Sequence, residues 1–286
     1  MKIIKMEMPS SFDLSLFGDT HHGSTLCHEK GINTLMDWTL SEKHRFLIHM
    51  GDAIEAIMVD DKRYQADVQT TAVPLQQRDY VVERYKPIAH RLKMMLVGNH
   101  EFKLWRFGNL TEDICKGLST KKHAVEFGTF IAVVRLYDKY GYLFSLYLGH
   151  GWRALTSNAK DWEQRQANMK AALKMQLKFK AADCLVNAIG HSHKLLVVPP
   201  SDGQLYLTHQ TGKPQARYLD KDQAPHLGHI HQDQRWYLNT GSFLKLYGDE
   251  PTSGYAERRG YDPVELGHIV VSVRDRKLVG CEKVIA

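Results

Sequence analysis

Five short polar clusters along the first two-thirds of the chain carry residue types that bind divalent metal ions through oxygen and imidazole nitrogen. Asp19 and His21 stand as D-x-H, Asp52 follows Gly51, and Asn99 and His100 lie in Gly98-Asn99-His100-Glu101. His150 follows Gly149, and His191 and His193 form G-H-x-H after Gly190. Hard-to-borderline donors of this kind suit a pair of ions sharing one carboxylate, an arrangement able to assist hydrolysis of phosphate esters. That reaction also needs a proton source for the leaving oxygen, because an alkoxide leaves poorly. Any one of these histidines alone is better explained as a satisfied core imidazole. The whole set in this order is not.

Each cluster ends an apolar run. Phe12, Leu14 and Leu16 alternate before Gly18, and runs at 46–50, 94–97, 143–148 and 184–189 precede the other four clusters. Strand-like runs that deliver polar side chains at their carboxyl ends are how α/β proteins assemble sites. Helical periodicity lies between several of them, around 26–40 and most clearly over 158–180. In the latter, Trp162, Met169, Leu173 and Leu177 share one face, opposite a stripe of Lys160, Lys170, Lys174 and Lys178 that reads as solvated. The C-terminal third is richer in strand patterns, at 204–208, 235–239, 269–273 and 277–284. Arg274-Asp275-Arg276 suits a hairpin turn, and Gly141 marks another between 130–136 and 143–148. No linker divides the chain, so residues 1–286 are expected to form a single domain with insertions near 60–87 and 201–234.

In order and spacing these clusters resemble the calcineurin-like metallophosphoesterase superfamily, whose pattern runs D-x-H, G-D-x-x-[DE], G-N-H-[DE], a lone G-H, and G-H-x-H. The resemblance covers residues 17–193. It implies an α/β fold, a four-layer α/β/β/α sandwich of two mostly β sheets with flanking helices. It also implies that Asp19, His21, Asp52 and His193 hold one metal ion. Asp52 would bridge to a second, completed by Asn99, His150 and His191. By the same likeness His100 is not a ligand but protonates the leaving oxygen or stabilises the transition state. Glu55 and Glu101 would orient imidazoles from behind. Protein Ser/Thr phosphatases of the superfamily follow the G-D block with Asp-Arg-Gly. Here it reads Gly51-Asp52-Ala53-Ile54-Glu55, with no arginine to grip phosphate. Gly18-Asp19-Thr20-His21-His22-Gly23 is similar over six residues to the opening motif of the DNA-nuclease branch.

The net charge of +6 is compatible with a polyanionic partner. The expected reaction is therefore phosphodiester hydrolysis of nucleic acid or a nucleotide. The alternatives are a phosphomonoesterase acting on a small molecule or protein, and a non-catalytic scaffold with this fold. Candidate substrate contacts are His22, Trp152, Arg153, Arg258 and Arg259. The expected cofactors are two divalent metal ions, manganese first, with iron or zinc as alternatives. His226, His229 and His231 read as chance histidines of a polar loop. Asn239-Thr240-Gly241-Ser242 reads as a turn that closes the sheet or offers N–H groups to phosphate. Four scattered cysteines form no CxxC pair, and no apolar run suits a signal peptide or a membrane span. A cytoplasmic location is the expectation.

Overall fold

The structure, a computed structural model, describes residues 1–201, 205–208, 215–218, 228–248 and 255–286. The chain runs β1 (Lys2–Glu7), β2 (Phe12–Phe17), α1 (Glu29–Ser41), β3 (Arg45–His49), α2 (Pro74–Tyr85) and β4 (Leu92–Met95). It continues through α3 (Asn99–Lys103), α4 (Leu110–Leu118), β5 (Glu126–Phe127), β6 (Ile131–Asp138), β7 (Gly141–Gly149), α5 (Trp162–Leu177), β8 (Val186–Ile189) and β9 (Leu195–Val198). A two-stranded sheet of β10 (Leu205–Thr208) and β11 (Gln215–Tyr218) follows. Last come β12 (Trp236–Thr240), α6 (Tyr255–Arg258), β13 (Gly267–Arg274) and β14 (Lys277–Ile285).

Two six-stranded mixed sheets stand face to face, ordered β1-β6-β7-β8-β12-β9 and β14-β13-β2-β3-β4-β5. Their facing surfaces interdigitate. Phe12, Leu14 and Leu16 of β2, Ile48 of β3 and Val271 of β13 meet Val134 of β6, Leu146 and Leu148 of β7, and Ala188 of β8. The outer face of the second sheet is covered by α1, α2 and α4 through Ile32, Leu35, Val81, Tyr85 and Ile114. The outer face of the first is covered by α5, whose Met169, Leu173 and Leu177 pack on Val133, Tyr147 and Tyr237. The order of layers is α/β/β/α, as the resemblance implied. Burying continuous apolar faces on both sides of each sheet is what makes the β2 run solvent-free along its length.

One expectation needs correction: Trp162 shares the apolar spacing of α5, but at the first turn of that helix it is exposed and lines a cleft. Residues 60–87 contain α2, whose Val81 and Tyr85 have no exposed surface. The N-terminal segment forms β1, which pairs parallel with β6. His226 lies outside the described residues; His229 and His231 are exposed and join no metal-type cluster among the described residues.

What matters for chemistry is strand direction. β2, β3 and β4 run parallel in one sheet, and β7, β8 and β12 run parallel in the other. The loops leaving their carboxyl ends therefore gather at one edge of the sandwich, and every polar cluster of the sequence lies on one of them.

Candidate metal centre and cleft

Asp19 and His21 follow β2, Asp52 follows β3, Asn99 and His100 open α3 after β4, His150 follows β7, and His191 and His193 follow β8. Asp19, His21, Asp52, His191 and His193 all have positive φ, between 49° and 67°. A left-handed non-glycine residue costs about 1–2 kcal/mol, so five in one place mark a backbone bent to aim side chains. The adjoining glycines allow the close approach. A Cβ on Gly98 would lie 1.9 Å from Asp52 Oδ1, and one on Gly190 would lie 2.8 Å from Asp19 Oδ2.

The side chains converge in two groups. On one side, His193 Nε2 is 3.2 Å from Asp19 Oδ1, and His21 Nε2 is 4.0 Å from that oxygen and 3.8 Å from Asp52 Oδ2. On the other, His150 Nε2 lies 3.3 Å from Asp52 Oδ2 and 3.0 Å from Asn99 Oδ1, while His191 Nδ1 lies 2.6 Å from the same Asn99 oxygen. Asp52 Oδ2 thus faces both groups, and its Oδ1 is held by the His100 N–H at 2.9 Å.

The tautomers follow from the partners behind each ring. His21 Nδ1 is 2.8 Å from Glu55 Oε2, and His150 Nδ1 donates to the Met50 carbonyl at 2.9 Å. Both rings therefore turn Nε2 inward. Asp19 Oδ1 and His21 Nε2 are buried yet make no hydrogen bond among the described residues. A buried carboxylate oxygen and a buried imidazole nitrogen without partners are costly unless something positive sits between them. The donor set, oxygen and imidazole in two adjoining groups, fits a divalent metal site.

Charge in this cluster is strongly coupled. Burial acts to raise the Asp52 carboxyl, yet the His150 and His100 imidazoles hold it well below the usual carboxylate range. Burial acts to lower His150 and His21, yet Asp52 pulls His150 up to about 10, and Glu55, with help from Asp52, pulls His21 up to about 9. The pocket attracts cations. His100 differs: burial pushes it below its ordinary value against the pull of Asp52. Its Nδ1 donates to the Glu55 carbonyl, which leaves Nε2 as the nitrogen available to a substrate.

Glu101 departs from its expected role. It orients no imidazole; its carboxylate accepts the N–H groups of Ala53 at 2.6 Å, Ile54 at 3.2 Å and Gly98 at 3.0 Å, tying two site loops together. His22 is also not where a substrate contact must be. It is fully buried, with Nδ1 3.2 Å from Glu29 Oε1 and Nε2 3.0 Å from the Tyr85 hydroxyl, and it lines no part of the cleft. Its neighbour His21 points to the centre, so the chain turn between them sends the two rings apart. Trp152 and Arg153 are exposed and lie off the cleft wall, Trp152 in a cluster with Phe102 and Phe130 at 5.9 and 6.1 Å. Arg258 and Arg259 are exposed beside the cleft, whose wall includes Ala256 and Tyr261. Ser242, in the turn after β12, donates its hydroxyl to the Asp19 carbonyl at 3.0 Å and braces the first site loop rather than offering itself to a ligand.

From the centre a cleft of about 930 Å³ runs outward. Its lining includes Ile57, Arg63 and Val68 from the segment after β3, and the apolar or aromatic side chains of Leu155, Trp162, Met169, Leu196, Leu246 and Tyr261. Sequence reasoning missed Arg63, whose Nη1 is 3.4 Å from His100 Nε2. It stands in an aperiodic polar stretch that gives no sign of its destination.

Residues 14–233 match the sequence family described as calcineurin-like phosphoesterase, and the chain belongs to that family. It is accordingly a metal-dependent hydrolase of phosphate esters, with a divalent metal site in the Asp/His cluster. No curated protein matches the chain. Among solved structures it is similar to a metallophosphoesterase from Sphaerobacter thermophilus, at 12% identity and a TM-score of 0.40 over 96% of this chain and 88% of that one. It is similar to the calcineurin-like phosphoesterase YfkN from Bacillus subtilis, at 12% identity and 0.38 over 96% and 90%. Zinc-complexed Vps29 from Entamoeba histolytica is similar at 13% identity and 0.36 over 96% and 99%. No helix among the described residues is long and apolar enough to cross a membrane.

Proposed function

We propose that this hydrolase is a phosphodiesterase of nucleotides or nucleic-acid strands, working at a two-metal centre. The observation that carries the reading is the cleft, which the Asp/Asn/His cluster lines together with a set of apolar and aromatic side chains. Its volume is that of a site for a nucleotide-sized ligand, and it is larger than a bare phosphate needs. Trp162 and Tyr261 offer aromatic surface on which a base can stack, and Lys194, Lys245 and Arg165 also line the cleft. Arg165 donates to Asp262 at 2.6 Å, which fastens α5 to the 259–265 segment across it.

In this reading Asp19, His21, Asp52 and His193 hold one ion, and Asp52, Asn99, His150 and His191 hold the other. Bound divalent ions there supply positive charge that lowers the pKa of water and offsets charge on the phosphate. The residues of the chain do the rest. Glu55 fixes the His21 ring, the Met50 carbonyl fixes that of His150, and Glu55 also sets His100 with Nε2 toward the cleft. His100 Nε2 is the atom we assign to the leaving oxygen, as proton donor once the ring has taken up a second proton beside the anionic substrate. Manganese is the ion we expect to serve, since donor sets of this type accept it readily. We take the chain as one domain, because strands from both its N- and C-terminal parts share each sheet. A cytoplasmic setting agrees with four buried, unpaired cysteines.

A panel of esters with Mn²⁺ tests the substrate. Turnover of bis-p-nitrophenyl phosphate and of a nucleoside 5′-(p-nitrophenyl phosphate) should exceed that of p-nitrophenyl phosphate, the nucleoside diester most of all. The aromatic lining is expected to add about 1–3 kcal/mol of base binding, a gain of roughly 5–150-fold in kcat/KM for that substrate. Turnover of the monoester alone, with no response to the nucleoside, would assign the enzyme to phosphomonoesters instead.

A further inference from the structure

The Gly51-Asp52 block lacks the arginine with which some phosphoesterases hold phosphate, and the cleft nevertheless contains one. Arg63, in the segment between β3 and α2, lines the same cleft as His21, Asp52 and His100. Its guanidinium is half-buried and pre-set. Nε and Nη2 donate to the Asp61 carboxylate at 3.1 and 2.8 Å, which holds Asp61 below the usual carboxylate range. The remaining nitrogen, Nη1, reaches toward His100 Nε2 at 3.4 Å. Donor atoms of His100, His21 and Asp52 lie within 4.8 Å of one another, so Nη1 is one imidazole removed from the carboxylate that faces both groups.

An ion pair between residues two apart on a partly exposed loop contributes little to stability, so stability alone is a poor reason for this placement. The charge count points the same way. Lys103 Nζ lies 4.0 Å from the Asp61 oxygen that Arg63 Nη2 also contacts, so two cations share one anion and the rim stays positive. A planar guanidinium held by a carboxylate behind it, with Nη1 turned to the cleft, is a geometry that suits a phosphate oxygen.

We propose that Arg63 binds a non-bridging oxygen of the substrate phosphate through Nη1, with Asp61 as its positioning residue, and so supplies the cation missing from the Gly51-Asp52 block. The proposal rests on the cleft being the phosphoester site, and it holds for diester or monoester alike. No covalent step is added. The guanidinium offsets charge on the phosphate and stands beside the nitrogen assigned to the leaving oxygen.

The test uses the full-length, Mn²⁺-loaded protein and its Arg63→Gln, Arg63→Lys and Asp61→Asn variants, with metal content and thermal melting measured for each. For whichever chromogenic ester the native protein turns over best, Arg63→Gln should lower kcat/KM by about 10²-fold, the usual cost of one charge-stabilising donor. It should also weaken inhibition by inorganic phosphate about tenfold or more, with metal content unchanged. Arg63→Lys should restore part of both, because charge returns without the fork. Asp61→Asn should lose less than Arg63→Gln. Phosphate should protect Arg63 from phenylglyoxal, read by mass spectrometry of its peptide. Arg63→Gln with phosphate inhibition and kcat/KM within twofold of the native values would overturn the proposal. If the native protein hydrolyses no ester, the diesterase reading fails on its own. Calorimetric titration of inorganic phosphate into native and Arg63→Gln protein then decides the role of Arg63 separately, equal affinity overturning it.

Discussion

Asp52→Asn is expected to release both metal ions and to lower hydrolysis by roughly 10³-fold or more, on the basis that removing a shared charged ligand costs about 4 kcal/mol of ion binding. The substitution is nearly isosteric. An amide oxygen can still accept the His100 N–H that now binds Oδ1, so the loop has no reason to collapse. What disappears is the negative charge at Oδ2, which faces His21 at 3.8 Å and His150 at 3.3 Å. That charge is also what pulls the buried His150 up to about 10. Without it the pocket loses attraction for any cation. Elemental analysis after Mn²⁺ loading and gel filtration checks the expectation. An Asn variant that keeps both ions would show that Asp52 does not bridge.

His100→Asn should behave oppositely, keeping the metals while slowing turnover by roughly 10²–10⁴-fold, the usual contribution of a positioned acid or base. The geometry explains why the two roles separate. The Nδ1–H of His100 donates to the Glu55 backbone carbonyl, which leaves Nε2 facing the cleft, and burial pushes the ring's pKa below its ordinary value against the pull of Asp52. Its donor atom also lies within 4.8 Å of those of His21 and Asp52, close enough for a ligand role to be the competing account. Metal content decides between them. If His100→Asn lost an ion along with activity, His100 would be a ligand. A substrate with a good leaving group should be affected less, since it needs less help from a proton.

The five strand-end clusters were legible because two local signals coincide there, an apolar run that must be buried and a glycine that lets the chain leave it. The layer order came from the resemblance those clusters carry, and continuous apolar runs such as 46–50 agree with strands covered on both faces. The unread parts lack such signals. α2 buries only Gln77, Val81 and Tyr85 among many polar residues, so its pattern looks like loop. β1 alternates buried Ile4 and Met6 with exposed residues, but it is a short edge strand beside β6. Trp162 fits the apolar stripe of α5 by spacing, yet it sits where the helix begins and the cleft opens, so tertiary position overrides periodicity. His22 shows the limit of adjacency, one residue from His21 and turned to Tyr85 and Glu29 instead. Arg63 reaches the centre through a fold-back that no residue spacing encodes. The aromatic group of Phe102, Trp105, Phe130 and Trp152 comes from three separate segments and was equally invisible.

Buried Asp19 Oδ1 and His21 Nε2, which make no hydrogen bond among the described residues, belong in our reading to one half of a two-ion centre whose other half is Asn99, His150 and His191. Counting ions tests it most directly. Protein loaded with Mn²⁺, freed of excess metal and measured by inductively coupled plasma mass spectrometry should carry two ions per chain. Exhaustive chelation should remove them and abolish hydrolysis, and Mn²⁺ should restore both together. Full hydrolytic activity in protein stripped of metal would contradict the account.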